Sequence, residues 1–152
     1  MGYTHYYYQK KSFTPKQWVS LSKDARTIIA ACDTLGIALR REFDDPRLPL
    51  VDASQIRFNG EREQGHETFF LDKDKPANSS WRADEPEYFA FCKTARKPYD
   101  LAVCLVLLAA IGRAPKTIRI ESDGEWDPDW AAARKVYRTI FCQDARCPFP
   151  QE

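Results

Sequence analysis

The stretch GYTHYYYQKKSFTPKQW, residues 2–18, places an aromatic run directly before a helix start. Residues 2–9 are rich in aromatic and β-branched types, which favour extended backbone. They predict a first strand. Because alternate side chains of a strand point to the same side, Tyr3, His5 and Tyr7 are expected to share one face of it.

The helix start is marked by its capping residues. Thr14 is a typical N-cap, Pro15 suits the first helical position, and Gln17 completes a capping box. Apolar residues then recur at helical spacing until Gly36, which can adopt the left-handed conformation that ends a helix. The pattern predicts one long helix over residues 15–35.

The remaining elements follow from alternation and helical periodicity. Strands are predicted at residues 55–60, 66–71, 87–94 and 117–121, and helices at 98–111 and from 127 onward. Mostly loop is predicted at 40–54, with a short extended piece at 37–39, an exposed loop at 72–86 and a short tail after about 143. The order is strand, helix, three strands, helix, strand, helix, which lacks the alternation of parallel α/β folds. We therefore expect an α+β fold: an antiparallel sheet of about five strands backed by about three helices.

Length and composition predict one domain over residues 1–152. The 152 residues are 43% hydrophobic and 30% charged, with a formal charge of +1, which is close to globular averages. With so small a net charge, the protein as a whole has no positive electrostatic potential that would attract nucleic acid. The most apolar run, residues 101–111, is shorter than the roughly 20 residues that cross a bilayer. The first residues lack a secretory pattern, so a cytoplasmic protein that does not enter membranes is expected.

The cysteines favour a reducing compartment. There are five of them, an odd number without C-x-x-C spacing, at Cys32, Cys92, Cys104, Cys142 and Cys147. Because the chain has only two histidines, a four-ligand zinc site would need ligands that lie far apart in the sequence. We expect most of the thiols to be small core residues, and we expect no metal and no cofactor.

The segment CKTARKPYD, residues 92–100, is the strongest candidate for a binding site. A predicted strand ends there, a predicted helix begins, and Lys93, Arg96 and Lys97 surround the Thr94 hydroxyl. Unpaired N–H groups and the positive end of the helix dipole attract anions, and arginine can bind a phosphate or carboxylate with two hydrogen bonds. The segment predicts an anion site.

A plainer interpretation fits the same residues. Short basic clusters are common on surfaces, the segment lacks the glycines of a phosphate-binding loop, and Asp100 can neutralise the helix dipole without a ligand. The acidic residues between 121 and 129 are likewise explained by a turn and a helix cap more readily than by a metal.

Further polar residues are assigned to the same predicted pocket. Tyr99 and Asn59 would supply hydrogen bonds or stacking, while His5, His66 and Asp123 are weaker candidates from neighbouring strand ends. A strand histidine without a catalytic partner in the sequence is more often a hydrogen-bonded structural residue.

An exposed sheet face is the second candidate surface. If helices cover one face, the other could present aromatic residues from 3–8 together with Arg57 and Arg119, as base-stacking platforms do. The near-zero net charge disfavours nucleic acid, and packing into a core or a partner is the alternative use of these tyrosines.

Four pieces of the chain carry a family resemblance: MGYTHY at 1–6, FNG at 58–60, GHETF at 65–69 and CKTARKPYD at 92–100. They resemble a group of small proteins encoded by tailed bacteriophages and prophages, for which no activity is settled. The resemblance implies a bacterial host cytoplasm and an accessory role, either binding a host protein or sequestering a nucleotide-type signal.

Three functions remain open from the sequence. The leading prediction is a non-catalytic binding protein with a polar pocket for an anionic, nucleotide-derived ligand. The first alternative is a protein-binding inhibitor of a host factor that acts through an aromatic patch, and a homo-oligomer is compatible with either. The second is an enzyme acting on nucleotides or phosphoesters through His66, Glu67 and Asp123. No standard hydrolase, kinase or dehydrogenase motif supports catalysis.

Overall fold

A computed structural model describes residues 2–76 and 87–149. The chain forms an α+β fold with antiparallel sheets, so the predicted fold class is confirmed. The expected single sheet of five strands is replaced by two sheets, of three and four strands. Within the part of the chain that is described, none of the helices combines the length and apolar character that a membrane-spanning segment needs.

The elements have the following bounds. The strands are β1 Thr4–Gln9, β2 Leu39–Arg40, β3 Leu50–Val51, β4 Gln55–Gly60, β5 Phe69–Asp72, β6 Tyr88–Lys93 and β7 Ile118–Ser122. The helices are α1 Pro15–Thr34, α2 Asp100–Arg113 and α3 Ala131–Phe141, and a short 3₁₀ helix spans Arg62–Gln64.

The first sheet is a split βαβ unit. Its strand order is β6-β1-β7, and both outer strands run antiparallel to β1, so β6 and β7 are parallel to each other. Helix α2 connects them and is buried along most of its length. Since this crossover passes beneath β1, the first residue of α2, Asp100, lies within hydrogen-bond distance of His5 on β1.

The second sheet is built around β4. Ile56 pairs with Val51 of β3 on one side and with Leu71 of β5 on the other, while β2 pairs with the last two residues of β4. The prediction of mostly loop at 40–54 is therefore wrong for Arg40 and for β3, because two-residue strands are too short to show alternation. Of the predicted loop at 72–86, residues 77–86 lie outside the described residues.

The predicted start of α1 is confirmed in detail. The Thr14 hydroxyl accepts a hydrogen bond from the Gln17 backbone, and the Gln17 side chain accepts one from the Thr14 backbone. The rings of Phe13 and Trp18 pack together with centroids 5.5 Å apart. The helix ends just before Gly36, whose φ of 80° is the expected left-handed conformation.

The other two helices begin later than predicted. Helix α2 starts at Asp100 because residues 94–97 first form a turn, in which the Lys97 N–H donates to the Thr94 carbonyl. Helix α3 starts at Ala131, because the loop before it is closed by a hydrogen bond from the Asp129 N–H to the Glu125 carbonyl. In both cases a hydrogen-bonded turn occupies the predicted first residues, so the helix begins further along the chain.

The turn before α2 is strained. Its two central residues, Ala95 and Arg96, have φ values of 53° and 58°, a region that costs a side-chain-bearing residue about 1–2 kcal/mol. We predict that Ala95→Gly raises the free energy of unfolding by about 0.5–1 kcal/mol, measured by urea denaturation. The control is Ala132→Gly on the exposed side of α3, which should lower stability by a similar amount. A loss at both positions would contradict the strain.

Three of the five thiols lie in the core. Cys32, Cys92 and Cys104 are buried, and burial raises the pKa of Cys32 to about 11, that of Cys92 to about 12, and that of Cys104 well above its ordinary value. Cys142 is exposed and Cys147 is partly exposed. We predict that a disulfide reagent at neutral pH labels at most these last two thiols in the folded protein. Rapid labelling of all five without denaturant would contradict the described core.

Candidate functional site

The face of the first sheet on the side away from α2 is called the open face. Pairing registers place its residues in three rows across β6, β1 and β7. The rows are Phe89, Tyr8 and Arg119; then Phe91, Tyr6 and Glu121; then Lys93, Thr4 and Asp123. The inner face carries Tyr3, His5 and Tyr7, which share one face as predicted, and all three are buried.

The centre of the open face is aromatic. The Phe89 ring lies 6.3 Å from the Tyr6 ring, 5.0 Å from the Tyr8 ring and 5.8 Å from the Phe91 ring, measured between centroids. Phe89 and Phe91 are nevertheless 40% and 49% exposed. Exposed phenylalanines that already touch other rings form a contiguous apolar patch, and such patches mark interaction sites.

Charged side chains border this patch mainly on the β7 side. The Arg119 guanidinium lies 3.8 Å from the centroid of the Tyr8 ring and pairs with Glu87 and Glu121 at 3.0 and 2.8 Å. Asp123 accepts the Tyr6 hydroxyl at 3.1 Å. The surface around the rings therefore holds three carboxylates, one arginine shared between two of them, and Lys93.

An exposed aromatic sheet face is thus present, but some of its residues differ from those predicted from the sequence. Tyr6, Tyr8 and Arg119 lie on it, whereas Arg57 lies on the second sheet and pairs with Glu42 at 2.9 Å. The two most exposed rings, Phe89 and Phe91, were not assigned to this surface from the sequence. Their alternation with Ala90 and Cys92 was the signal that could have found them.

Beneath β1 lies a group of buried and partly buried residues, the His5 cluster: His5, Thr94, Asp100, Cys104 and Ser122. His5 Nδ1 is 2.8 Å from Ser122 Oγ, and His5 Nε2 is 2.7 Å from Asp100 Oδ1 and 3.4 Å from Cys104 Sγ. The Thr94 hydroxyl donates to the same Asp100 oxygen at 2.6 Å. Five residues from four segments of the chain therefore form one hydrogen-bond network around the Asp100 carboxylate and the His5 imidazole.

Hydrogen-bond counting fixes the tautomer of His5. Ser122 Oγ accepts the Gly124 N–H at 2.9 Å and the Trp130 indole N–H at 3.3 Å, so its own proton is free to go to His5 Nδ1. Nε2 then carries the imidazole proton and donates it to Asp100. Every member of this chain of hydrogen bonds is satisfied, which is how buried polar networks stabilise a core.

The same cluster contains a candidate metal-ligand set. His5, Asp100 and Cys104 each offer a ligand atom, and these atoms lie within 4.8 Å of one another. A metal would bind the Nε2 lone pair of His5. Because the Ser122 hydroxyl donates its proton to Nδ1, Nε2 carries the imidazole proton and has no lone pair to offer. The donor set therefore fits a hydrogen-bond network better than a metal site.

The three predicted cations occupy different environments. The Arg96 guanidinium lies 4.0 Å from the centroid of the Tyr3 ring and pairs with Asp129 at 3.0 Å. Lys93 and Lys97 form no ion pair with any described residue. The first backbone N–H groups of α2 are also engaged, since Asp100 and Leu101 donate to the carbonyls of Lys97 and Pro98. The start of α2 is not an open anion site.

The other predicted pocket residues are dispersed or buried. Tyr99 is buried and donates its hydroxyl to the Glu67 carbonyl at 2.5 Å. Asn59 is buried and holds the backbone of His66, whose side chain is exposed. Asp123 lies on the open face. The structure brings His5 and Thr94 together through Asp100, but it does not gather the predicted set into one pocket.

Three segments of the chain, residues 2–6, 65–69 and 92–100, meet in space. The Tyr3 carbonyl accepts the N–H groups of Thr94 and Ala95, and the Lys93 N–H donates to the Glu67 carboxylate at 2.6 Å. These contacts join the three segments around the end of β6. The three segments therefore form one continuous region of the fold.

In the comparisons with known proteins, no family model, curated protein or solved structure matches the chain.

Proposed function

We propose that the protein is a binding module that docks another protein on the open face. The observation that carries the proposal is the exposure of Phe89 and Phe91 on the edge strand β6, where their rings form one aromatic patch with Tyr6 and Tyr8. Aromatic residues are enriched at protein interfaces, where they bury a large area at a small cost in side-chain entropy. The alternative predicted from the sequence, a protein-binding inhibitor, is therefore the better supported function.

The charges around the patch define the chemistry of the partner. Three carboxylates, Glu87, Glu121 and Asp123, border the rings, and Arg119 neutralises part of two of them. A nucleic-acid backbone would bring its phosphates against these carboxylates, which is unfavourable. A protein segment with apolar side chains over Phe89 and Phe91 and a basic residue towards β7 is complementary.

The resemblance to phage-encoded accessory proteins suggests where such a partner would be found. If it holds, the partner is a host protein of the bacterial cytoplasm, and docking would inhibit or redirect it. The His5 cluster supports this role indirectly, because it anchors β1 from below while Tyr6 and Tyr8 project from the same strand above.

Site-specific photo-crosslinking tests this proposal. A benzophenone side chain in place of Phe91 should give a discrete adduct in host extract, and the same group in place of Leu48, which is 78% exposed on another surface, should not. The adduct partner, once purified, should bind the unmodified chain and lose at least about tenfold in affinity for Phe89→Ser/Phe91→Ser. Equal labelling from both positions, or unchanged affinity of the double variant, would contradict docking on the open face.

The anionic ligand remains a second proposal, and one observation favours it. Lys93 and Lys97 form no ion pair with the described residues and lie near the end of β6, so their charges are available to a phosphate. A thermal-shift screen against nucleotides and cyclic dinucleotides tests it. A rise in melting temperature that Lys93→Ala/Lys97→Ala abolishes would support it, and a flat screen would remove it.

A further inference from the structure

The outer edge of β6 has unpaired backbone groups. The Thr4 carbonyl and the Lys10 N–H form backbone hydrogen bonds on the β7 side of β1. Because these bonds alternate between the two sides of a strand, the even-numbered residues of β1 bond with β7 and the odd-numbered residues bond with β6. Their β6 partners are the even-numbered residues. The N–H and C=O groups of Phe89 and Phe91 therefore point away from β1, and they have no backbone partner among residues 2–76 and 87–149.

One end of this edge is already closed. The Lys93 N–H donates to the Glu67 carboxylate at 2.6 Å, and the Lys93 carbonyl accepts the Glu67 N–H at 3.2 Å. This contact independently confirms that odd-numbered residues of β6 point outward. Within β6, the outward-bonding residues that an added strand can still reach are therefore Phe89 and Phe91.

The free part of the strand is self-complementary. Its outward-bonding residues run Glu87, Phe89, Phe91, Lys93, with Ala90 at the centre. If a second copy pairs antiparallel about a two-fold axis at Ala90, Phe89 of each copy faces Phe91 of the other. Glu87 of each copy then lies towards the Lys93 end of the other, where Glu67 already uses the outward backbone groups of Lys93.

Other registers lack this match. Moving the axis to residue 89 places Glu87 opposite Phe91, and moving it to residue 91 places Lys93 opposite Phe89. In the second case the bonds would also fall on Lys93, whose backbone is already used by Glu67. Only the axis at Ala90 pairs the free backbone groups of Phe89 with those of Phe91 and places ring opposite ring at both positions.

We propose that the chain forms a two-fold dimer by antiparallel pairing of β6 with β6 of a second copy. The pairing supplies four backbone hydrogen bonds, from Phe89 and Phe91 of each copy, and joins two three-stranded sheets into one of six strands. Because the two-fold axis of an antiparallel pair is perpendicular to the sheet, both open faces lie on the same side. The four phenylalanines then form one continuous patch.

Sedimentation equilibrium under reducing conditions tests the dimer. The average mass of the native chain should rise with protein concentration towards twice that of one chain. Phe91→Pro removes an N–H that the intact sheet does not use, so it should leave only monomer. Phe91→Val keeps that N–H and an apolar side chain and should still associate. Leu48→Ser, exposed elsewhere, should behave as the native chain.

Two sedimentation results would contradict the proposed dimer. A native chain with the mass of one copy at all concentrations would overturn the proposal, and so would association of Phe91→Pro equal to that of Phe91→Val. Should Phe91→Pro fail to fold, hydrogen exchange on the native chain decides: the Phe89 and Phe91 amides should become protected as concentration rises. Unprotected amides at the highest concentration would overturn the pairing. Crosslinking to a host partner is read separately, so either proposal can fail alone.

Discussion

Replacing Asp100 by alanine should lower the free energy of unfolding by about 3–5 kcal/mol, the largest loss expected from one polar side chain here. The Asp100 carboxylate accepts hydrogen bonds from the His5 imidazole at 2.7 Å and the Thr94 hydroxyl at 2.6 Å. Without it, two donors on residues with no exposed surface are left without an acceptor. A buried donor that loses its partner costs about 1–3 kcal/mol, and more when the acceptor was charged.

Urea denaturation measures this loss against two companion variants. Asp127→Ala removes a carboxylate that is 90% exposed and pairs with Arg134, so a change within about 1 kcal/mol is expected. Asp100→Asn keeps one acceptor oxygen and should fall between the two alanine variants. If Asp100→Ala costs no more than Asp127→Ala, the His5 cluster does not contribute to stability as described.

Trp130→Ala should be comparably destabilising, by about 3–5 kcal/mol. The indole is fully buried, and its centroid lies 5.1 Å from that of His5 and 5.4 Å from that of Phe149. Its N–H also donates to Ser122 Oγ at 3.3 Å. The substitution therefore opens a cavity beside His5 and frees one lone pair of the serine that sets the histidine tautomer.

Trp130→Phe separates these two contributions. Phenylalanine keeps most of the ring packing but cannot donate to Ser122, so a loss of about 1–2 kcal/mol is expected. Trp126→Ala is the matched control, since that indole is only partly buried. Chemical denaturation followed by far-ultraviolet circular dichroism is a suitable readout. A Trp130→Ala protein as stable as Trp126→Ala would contradict the packing around His5.

The elements that the sequence predicts well are those with local signals. The capping box at Thr14 and the left-handed Gly36 bound α1 within one or two residues, because both signals act through neighbours in the chain. Strands β2 and β3 have two residues each and are held by pairing with β4, which leaves no local pattern. The turn at Ala95 and Arg96 was not predicted because neither residue favours positive φ.

The functional surfaces depend on contacts across the whole chain. His5 and Asp100 are separated by 95 positions, and only the crossover of α2 beneath β1 brings them together. Alternation predicts that Phe89 and Phe91 share a face, but which face of the sheet α2 covers is decided by the fold. The partners of Arg96, Asp129 and Tyr3, could not be predicted from the sequence because both lie far from Arg96 along the chain.

Strand β1 links stability to binding in this account. Its inward residue His5 is held by the buried network, and its outward residues Tyr6 and Tyr8 support the exposed phenylalanines of β6. Variants of the His5 cluster should therefore weaken binding only as far as they unfold the protein. Variants of Phe89 and Phe91 should weaken binding while leaving stability nearly unchanged.

Isothermal titration of the crosslinked and purified partner tests the central claim most directly, with the native chain, Phe89→Ser/Phe91→Ser and Lys93→Ala/Lys97→Ala compared at one salt concentration. The account predicts a loss of at least about tenfold in affinity for the phenylalanine variant and less than about threefold for the lysine variant. A large loss for the lysine variant with native affinity for the phenylalanine variant would contradict it and move the binding site to the basic end of β6.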